Sequence, residues 1–220
     1  GFTFFYPKST RKNAGYILLS RADPKADGAP SVELWDLNNQ SMLFEWDFDI
    51  KKLLKDLDYK MSPNSFVLSH PLILEDMSLI LMANVADKGK LLKFSKDSEL
   101  LNFNDEYIYH HSIEIDNQGR IYVPITKRNP FSKIFADEGF AILDKELNII
   151  KTYSLTEILK KAGLDHYVFS TNIEDPYHLN DVAPFKNDEK TNIVLLSIRS
   201  LSSIIAYDME KDKVIWKLHG

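Results

Sequence analysis

Short β-rich runs separated by turn residues recur four at a time along this chain, and that recurrence constrains its fold more than any single motif. From His70 the runs are 70–75, 78–84, 90–95 and 99–103. From His111 they are 111–116, 120–125, 140–144 and 148–153, and from His178 they are 178–185, 192–198, 204–208 and 213–218. Each set predicts one four-stranded antiparallel unit. A tight polar turn joins its last two strands: Asp144-Lys-Glu-Leu-Asn148 and Asp208-Met-Glu-Lys-Asp-Lys213, matched by Asp36-Leu-Asn-Asn-Gln40 near the N-terminus and by a turn at Ser95. Asp and Asn suit such turns because their side chains bond nearby backbone amides and tolerate left-handed geometry. Asp116-Asn-Gln-Gly119 plays the same part between a first and a second run.

The first unit is incomplete. Runs at 15–21, 31–37 and 42–48 stand where second, third and fourth strands belong, without a histidine-led first run. Propellers close by letting one chain end supply the strand missing at the other. Either residues 2–6 fill the gap or the natural chain continues past Gly220. The expectation is an all-β propeller of about four four-stranded blades. It forms one domain over 1–220, incomplete at its C-terminus and better read as an arc of a larger propeller than as a closed ring. A β-sandwich is the alternative, and it leaves the histidine spacing unexplained. Two inserts predict short helices. Residues 50–57 have i, i+3, i+4, i+7 apolar spacing, and Ser154-Leu-Thr-Glu157 is a capping box opening a helix that Gly163 would end.

Bulk properties exclude several functions. The chain has 220 residues, 44% hydrophobic, enough for a substantial core. Its 27 Lys and Arg against 32 Asp and Glu give a net charge of −5, with no basic stripe to track a nucleic acid backbone. With no cysteine there are no disulfides and no thiolate chemistry, and the redox compartment stays open. No apolar run approaches the roughly 20 residues of a membrane span, and the first seven residues lack the features of a secretory signal. The sequence starts without Met, so a leader removed before Gly1 is compatible with it.

Three segments open alike: His70-Pro-Leu-Ile-Leu74, His111-Ser-Ile-Glu-Ile115 and His178-Leu-Asn-Asp-Val182. Aligned on the aliphatic residue four places on, each histidine falls at the first inward position of an innermost strand, so the three would face one axis. Convergent imidazoles make an anion site or an acid/base centre; the competing reading is a strand-start residue bonding a neighbouring carbonyl. Arg199 ends the apolar run 193–198, where a guanidinium surrounded by strand residues needs an anion or a salt bridge to Asp181 or Asp208. No metal is expected, because the only close pair, His110-His111, would point to opposite faces of a strand. A glycine-rich phosphate loop and a nucleophile elbow are both missing, and no cofactor is implied.

Gly15-Tyr16 before a strand, the hairpin from His111 to Ile121, His178-Leu-Asn180, Ser197-Ile-Arg199 and the closing Val214-Ile-Trp-Lys-Leu-His-Gly220 together resemble the bacterial arylsulfate sulfotransferase family, over nearly the whole chain. The resemblance implies a six-bladed, exported, usually periplasmic propeller. It moves a sulfuryl group from an aryl sulfate to a phenol through a sulfated histidine, without a nucleotide donor. By motif, His178 is then the histidine of the His-x-Asn element, Arg199 the sulfuryl-binding arginine and His111 the histidine of the preceding blade. Asn180 and His70 are expected to contact substrate, His70 by repeat position alone. In the family the sulfated histidine lies in a His-Asp element after the closing Trp strand, so it is expected beyond Gly220. His219, at the far end of an outer strand, does not replace it. These 220 residues would therefore hold the binding half of a site and be inactive or nearly so alone. Small-molecule aryl sulfates and phenols are the implied partners, and the sequence leaves the oligomeric state open. The other readings are a non-catalytic propeller used as a binding or scaffold module and a propeller hydrolase or lyase acting on another anionic ester.

Overall fold

A computed structural model of the chain describes residues 14–21, 30–60, 67–84, 89–127, 137–164, 177–185 and 192–219. The chain divides into two compact units, one of residues 1–85 and 92–101, the other of 86–91 and 102–220.

In the first unit β1 (Tyr16–Arg21), β2 (Ser31–Asp36) and β3 (Ser41–Asp47) form a three-stranded antiparallel sheet in chain order. Helix α1 (Ile50–Asp56) follows, with Asp49 accepting the Lys52 N–H at 3.0 Å as its N-cap. Its apolar spacing buries Ile50, Leu53 and Leu54 in a core with Val32, Trp46 and Phe48. The next sheet, also in chain order, is β4 (Val67–Ile73), β5 (Leu79–Asn84), β6 (Lys90–Phe94) and β7 (Leu100–Asn104); the boundary between units passes through β6 and β7.

The second unit holds two sheets. In one, β10 (Ile121–Thr126), β11 (Glu138–Leu143) and β12 (Ile149–Ser154) pair in turn. Both β8 (Ile108–Tyr109) and β9 (Glu114–Ile115) lie along the other edge of β10. Helix α2 (Leu155–Lys161) then leads to β13 (Leu179–Pro184), β14 (Ile193–Ile198), β15 (Ser203–Asp208) and β16 (Lys213–His219), a sheet in chain order. Continuous apolar runs mark the middle strands, buried on both faces. β11 is buried throughout, whereas the fourth strands β7 and β16 are largely exposed and β12 is mostly half-buried. Capping works as the sequence predicts: Ser154 accepts the Glu157 N–H at 3.3 Å, and Gly163 ends α2 at φ +68°. Leu155, Ile158 and Leu159 carry α2 into a core with Tyr177, Val182 and Tyr207.

The polar turns between third and fourth strands are one device used four times. The side chains of Asp36, Ser95, Asp144 and Asp208 each accept two backbone N–H groups from their own turn, at 2.7 to 3.3 Å. This repeated four-strand plan is that of propeller blades, and the sheet at the N-terminal end has the three strands expected of it. The strand suggested at residues 2–6 lies outside the described residues.

One expectation is corrected. His70 and His111 do not lead their strands. β4 begins three residues earlier, at Val67, and the run around His111 divides into β8 and β9. The reason is backbone conformation. His70, His111 and His178 have φ of +52°, +66° and +52°, a left-handed geometry that interrupts a ladder wherever it falls. In β4 the pairing jumps from Ser69↔Met82 to Leu72↔Ile80, leaving His70 and Pro71 opposite Leu81 alone.

Candidate functional site

His178 and Arg199 are neighbours because the β13–β14 ladder runs one pair past its last strand residues. Beyond Leu179↔Ile198, the Arg199 N–H donates to the His178 carbonyl at 3.1 Å and the Ser200 N–H to the Tyr177 carbonyl at 3.0 Å. The chain then turns through a single 3₁₀ turn, Arg199–Leu201, closed by Ser202 at φ +45°. Arg199 is thus one residue past β14 and exposed, not enclosed by strand residues as the sequence suggested. His111 reaches the same place from a bulge. Pairing on β10 passes from Tyr109↔Ile125 to Glu114↔Tyr122, so residues 110–113 oppose only Val123 and Pro124.

The three side chains meet at one nitrogen. Arg199 Nη1 lies 3.1 Å from His178 Nε2, and His111 Nε2 lies 3.1 Å from the same atom, with the two rings tilted at 4.8 Å between centroids. A guanidinium has only donors, so His178 Nε2 accepts; facing it, His111 Nε2 must carry hydrogen. Neutral His178 therefore bears its proton on Nδ1. Both imidazoles are half-buried. Among the described residues Arg199 has no carboxylate partner. Asp208 is held by its own turn and by Lys211 at 3.4 Å, and Asp181 Oδ1 is buried without a hydrogen bond. A cation and an imidazole N–H converge on one nitrogen, the donor set of an oxyanion site.

A supporting layer holds this cluster, and sequence reasoning passed over one member of it, Glu138. His110 stacks edge-on against His111 at 5.0 Å, and its Nε2 lies 3.0 Å from Thr126 Oγ1 and 3.8 Å from Glu138 Oε1. Glu138 is buried, and its other oxygen accepts the N–H of Leu179, the residue after His178, at 3.1 Å. One carboxylate so ties the strand behind His178 to the sheet that carries His111. Its sequence signal was an acid opening the apolar run Glu138-Gly-Phe-Ala-Ile. Below His111, Asp116 closes the β9–β10 hairpin. It accepts the N–H groups of Gln118 and Arg120 at 2.8 and 2.9 Å, Arg120 Nε at 2.6 Å and the Tyr122 hydroxyl at 3.0 Å. Burial alone would raise its pKa, but these donors hold it below the ordinary carboxylate value. Burial and the adjacent Asp116 charge push the Tyr122 hydroxyl up, so it stays protonated to donate.

Of the other expected site residues, Asn180 is half-buried and is the extra residue of the β13 bulge between Leu179↔Ile198 and Asp181↔Ser197. His70 belongs to the first unit and is exposed. His219 does end the outer strand, yet β16 pairs it with Ser203, and it lines a cavity of about 360 Å³ that Arg199 also lines. Among the described residues no three His, Asp or Glu side chains come close enough to hold a metal ion, and no helix is long and apolar enough to cross a membrane.

Residues 76–220 match the family model described as arylsulfotransferase (ASST). No curated protein matches the chain. Solved structures of similar fold include a protein of unknown function from Bacteroides caccae, 12% identical at a TM-score of 0.55, matched over 94% of this chain and 69% of that one. The Dos1 propeller is 10% identical at 0.55, over 93% of this chain and 45% of that one. Kuenenia stuttgartiensis hydrazine synthase is 9% identical at 0.54, over 86% and 56%. At such identities the likeness is one of fold, the β-propeller, and this chain spans less than two thirds of the last two.

Proposed function

We propose that this chain, which belongs to the arylsulfotransferase family, grips the sulfuryl group of an aryl sulfate and supports its transfer to a phenol. The observation that carries the reading is the convergence of Arg199 and His111 on His178 Nε2. In the transfer an imidazole nitrogen forms a bond to sulfur as the ester S–O bond breaks and a phenolate leaves. A second phenol then forms a new S–O bond as the N–S bond breaks. Negative charge spreads over the three equatorial oxygens at each transfer, and donors that meet it there lower the barrier more than they tighten ground-state binding.

Arg199 and the His111 N–H supply those donors, while His178 holds them in place and joins them once its lone pair takes a proton. Asn180 is assigned to the substrate's remaining polar atoms. By the family resemblance, the sulfated imidazole belongs to a His-Asp element outside these 220 residues. An ester donor and an imidazole nucleophile require no cofactor. We further assign the protein to the periplasm or another exported location on the same resemblance; a chain without cysteine suits an oxidising compartment as well as a reducing one.

The test follows 4-nitrophenyl sulfate with phenol as acceptor in the natural full-length protein. The expected result is phenyl sulfate formation, reduced by about 10²–10³ in Arg199→Ala, while residues 1–220 alone bind the donor without turning it over. Failure to form phenyl sulfate, or full activity in Arg199→Ala, overturns the reading.

A further inference from the structure

Among the described residues β13 is an edge strand, paired on one side only, with β14. On its other side two of its backbone N–H groups find side chains instead. Leu179 N–H donates to Glu138 Oε2 at 3.1 Å, and Val182 N–H donates to Ser112 Oγ at 3.4 Å. Glu138 opens β11 and Ser112 follows His111, so both acceptors come from the neighbouring blade, the one that carries the His111 bulge.

The bulge at Asn180 is what brings both amides to that edge. Hydrogen-bonded and non-hydrogen-bonded pairs alternate along a regular antiparallel ladder, so N–H groups turn toward a given side at every second residue. The Arg199 N–H bonds the His178 carbonyl, which makes Leu179↔Ile198 a non-bonded pair whose Leu179 N–H faces outward. In a regular strand Asp181 would be the next outward donor. The extra residue moves that position to Val182, in register with Leu196. Leu179 and Val182 therefore anchor the backbone on both sides of Asn180. Between these anchors the Asn180 side chain is half-buried, and its carboxamide has no hydrogen bond among the described residues. A fixed backbone under an unbonded donor and acceptor is the arrangement of a preorganised ligand contact.

We infer that Ser112 is a positioning residue for Asn180: with Glu138 it clamps the free edge of β13 and so sets where the Asn180 carboxamide stands. The inference rests on the function proposed above, in which Asn180 meets the substrate, and adds to it the residue through which the His111 loop controls that contact. His111 and Ser112 are consecutive, so one short stretch of chain holds both His178 Nε2 and the Val182 amide. Ser112 itself makes no contact with substrate in this scheme.

A double-mutant cycle in the natural full-length protein, read as transfer from 4-nitrophenyl sulfate to phenol, tests this. Ser112→Ala removes the acceptor of one neutral hydrogen bond, and kcat/KM is expected to fall about threefold to tenfold. Ser112→Thr keeps the hydroxyl and should stay within about twofold of the wild type. Asn180→Ala should lower kcat/KM by itself, and in that background Ser112→Ala should cost nothing further, because the group it positions is gone. A merely structural serine would instead lower activity by the same factor in both backgrounds. Full activity in Ser112→Ala or in Asn180→Ala, a threonine variant no better than alanine, or losses that multiply in the double variant, overturns the inference. Arg199→Ala, measured alongside, separates the two readings. Activity that depends on Arg199 but is indifferent to Ser112 sinks only the clamp, and full activity in Arg199→Ala sinks both.

Discussion

Replacing Asp116 by Asn separates the two halves of the device that holds the His111 hairpin. One oxygen, Oδ1, accepts the Gln118 and Arg120 amides, and an asparagine oxygen in its place keeps both bonds. Oδ2 accepts Arg120 Nε and the Tyr122 hydroxyl, and there the substitution puts an NH₂ group against a guanidinium. A hydrogen bond to a charged partner contributes about 1.5–3 kcal/mol, and the Asp116 side chain is fully buried while that of Arg120 is 28% exposed, so a loss of about 2 kcal/mol is expected. For a chain of this size each kcal/mol moves Tm by about 2–4 °C, so Asn should lower it by about 4–8 °C. Alanine, which also strips the turn amides, should lower it further.

The pH dependence gives the sharper test. Asp116 has a lowered pKa in the fold, so its contribution is fully present above the unfolded value near 3.9 and is lost as pH falls through the native one. Thermal unfolding of the wild type and Asp116→Asn at pH 7 and again near pH 3 should therefore show a gap that narrows in acid. A gap equal at both pH values, or none at pH 7, would refute the reasoning.

Gly139→Ala is expected to disrupt the β11–β12 pair, because an added Cβ would stand 1.9 Å from the Tyr153 carbonyl oxygen. Circular dichroism and soluble yield should both fall, and a folded variant of native Tm would contradict it. Glu138→Ala leaves the buried Leu179 N–H unpaired at a cost of about 1–3 kcal/mol. As a positioning residue Glu138 should also act on ligand, so 4-nitrophenyl sulfate binding should weaken by about fivefold to tenfold, recovering in Glu138→Gln, which keeps the acceptor. Loss of stability without loss of binding would make Glu138 merely structural.

The blades were legible because their signals are local. Asp36, Ser95, Asp144 and Asp208 bond amides within four residues, and Ser154 caps a helix three residues away, so chain order alone exposes them. What the sequence concealed depends on partners distant along the chain. The positive φ of His70, His111 and His178 has no mark in residue identity, and it shifted the strand boundaries predicted there. Glu138 is significant only because Leu179 comes to it across 41 residues. His219 looked remote at the tip of an outer strand until the β15–β16 register set it beside Ser203, in the cavity that Arg199 borders. The pairing of His178 with Arg199 lay between these cases: motif order suggested it, and the ladder extension supplied the contact.

The left-handed backbone under His70, His111 and His178 also bears on how such a chain can change over generations. An L-residue there costs about 1–2 kcal/mol that glycine avoids and asparagine largely escapes. Mutation alone would thus move these positions toward Gly or Asn, and a lineage released from the need for imidazoles would gain stability by the move. Histidine at any one of the three in a divergent relative is accordingly a sign of continuing selection on that side chain. Replacement by Gly or Asn at His111 and His178 together would mark a propeller that has kept its architecture and given up its chemistry.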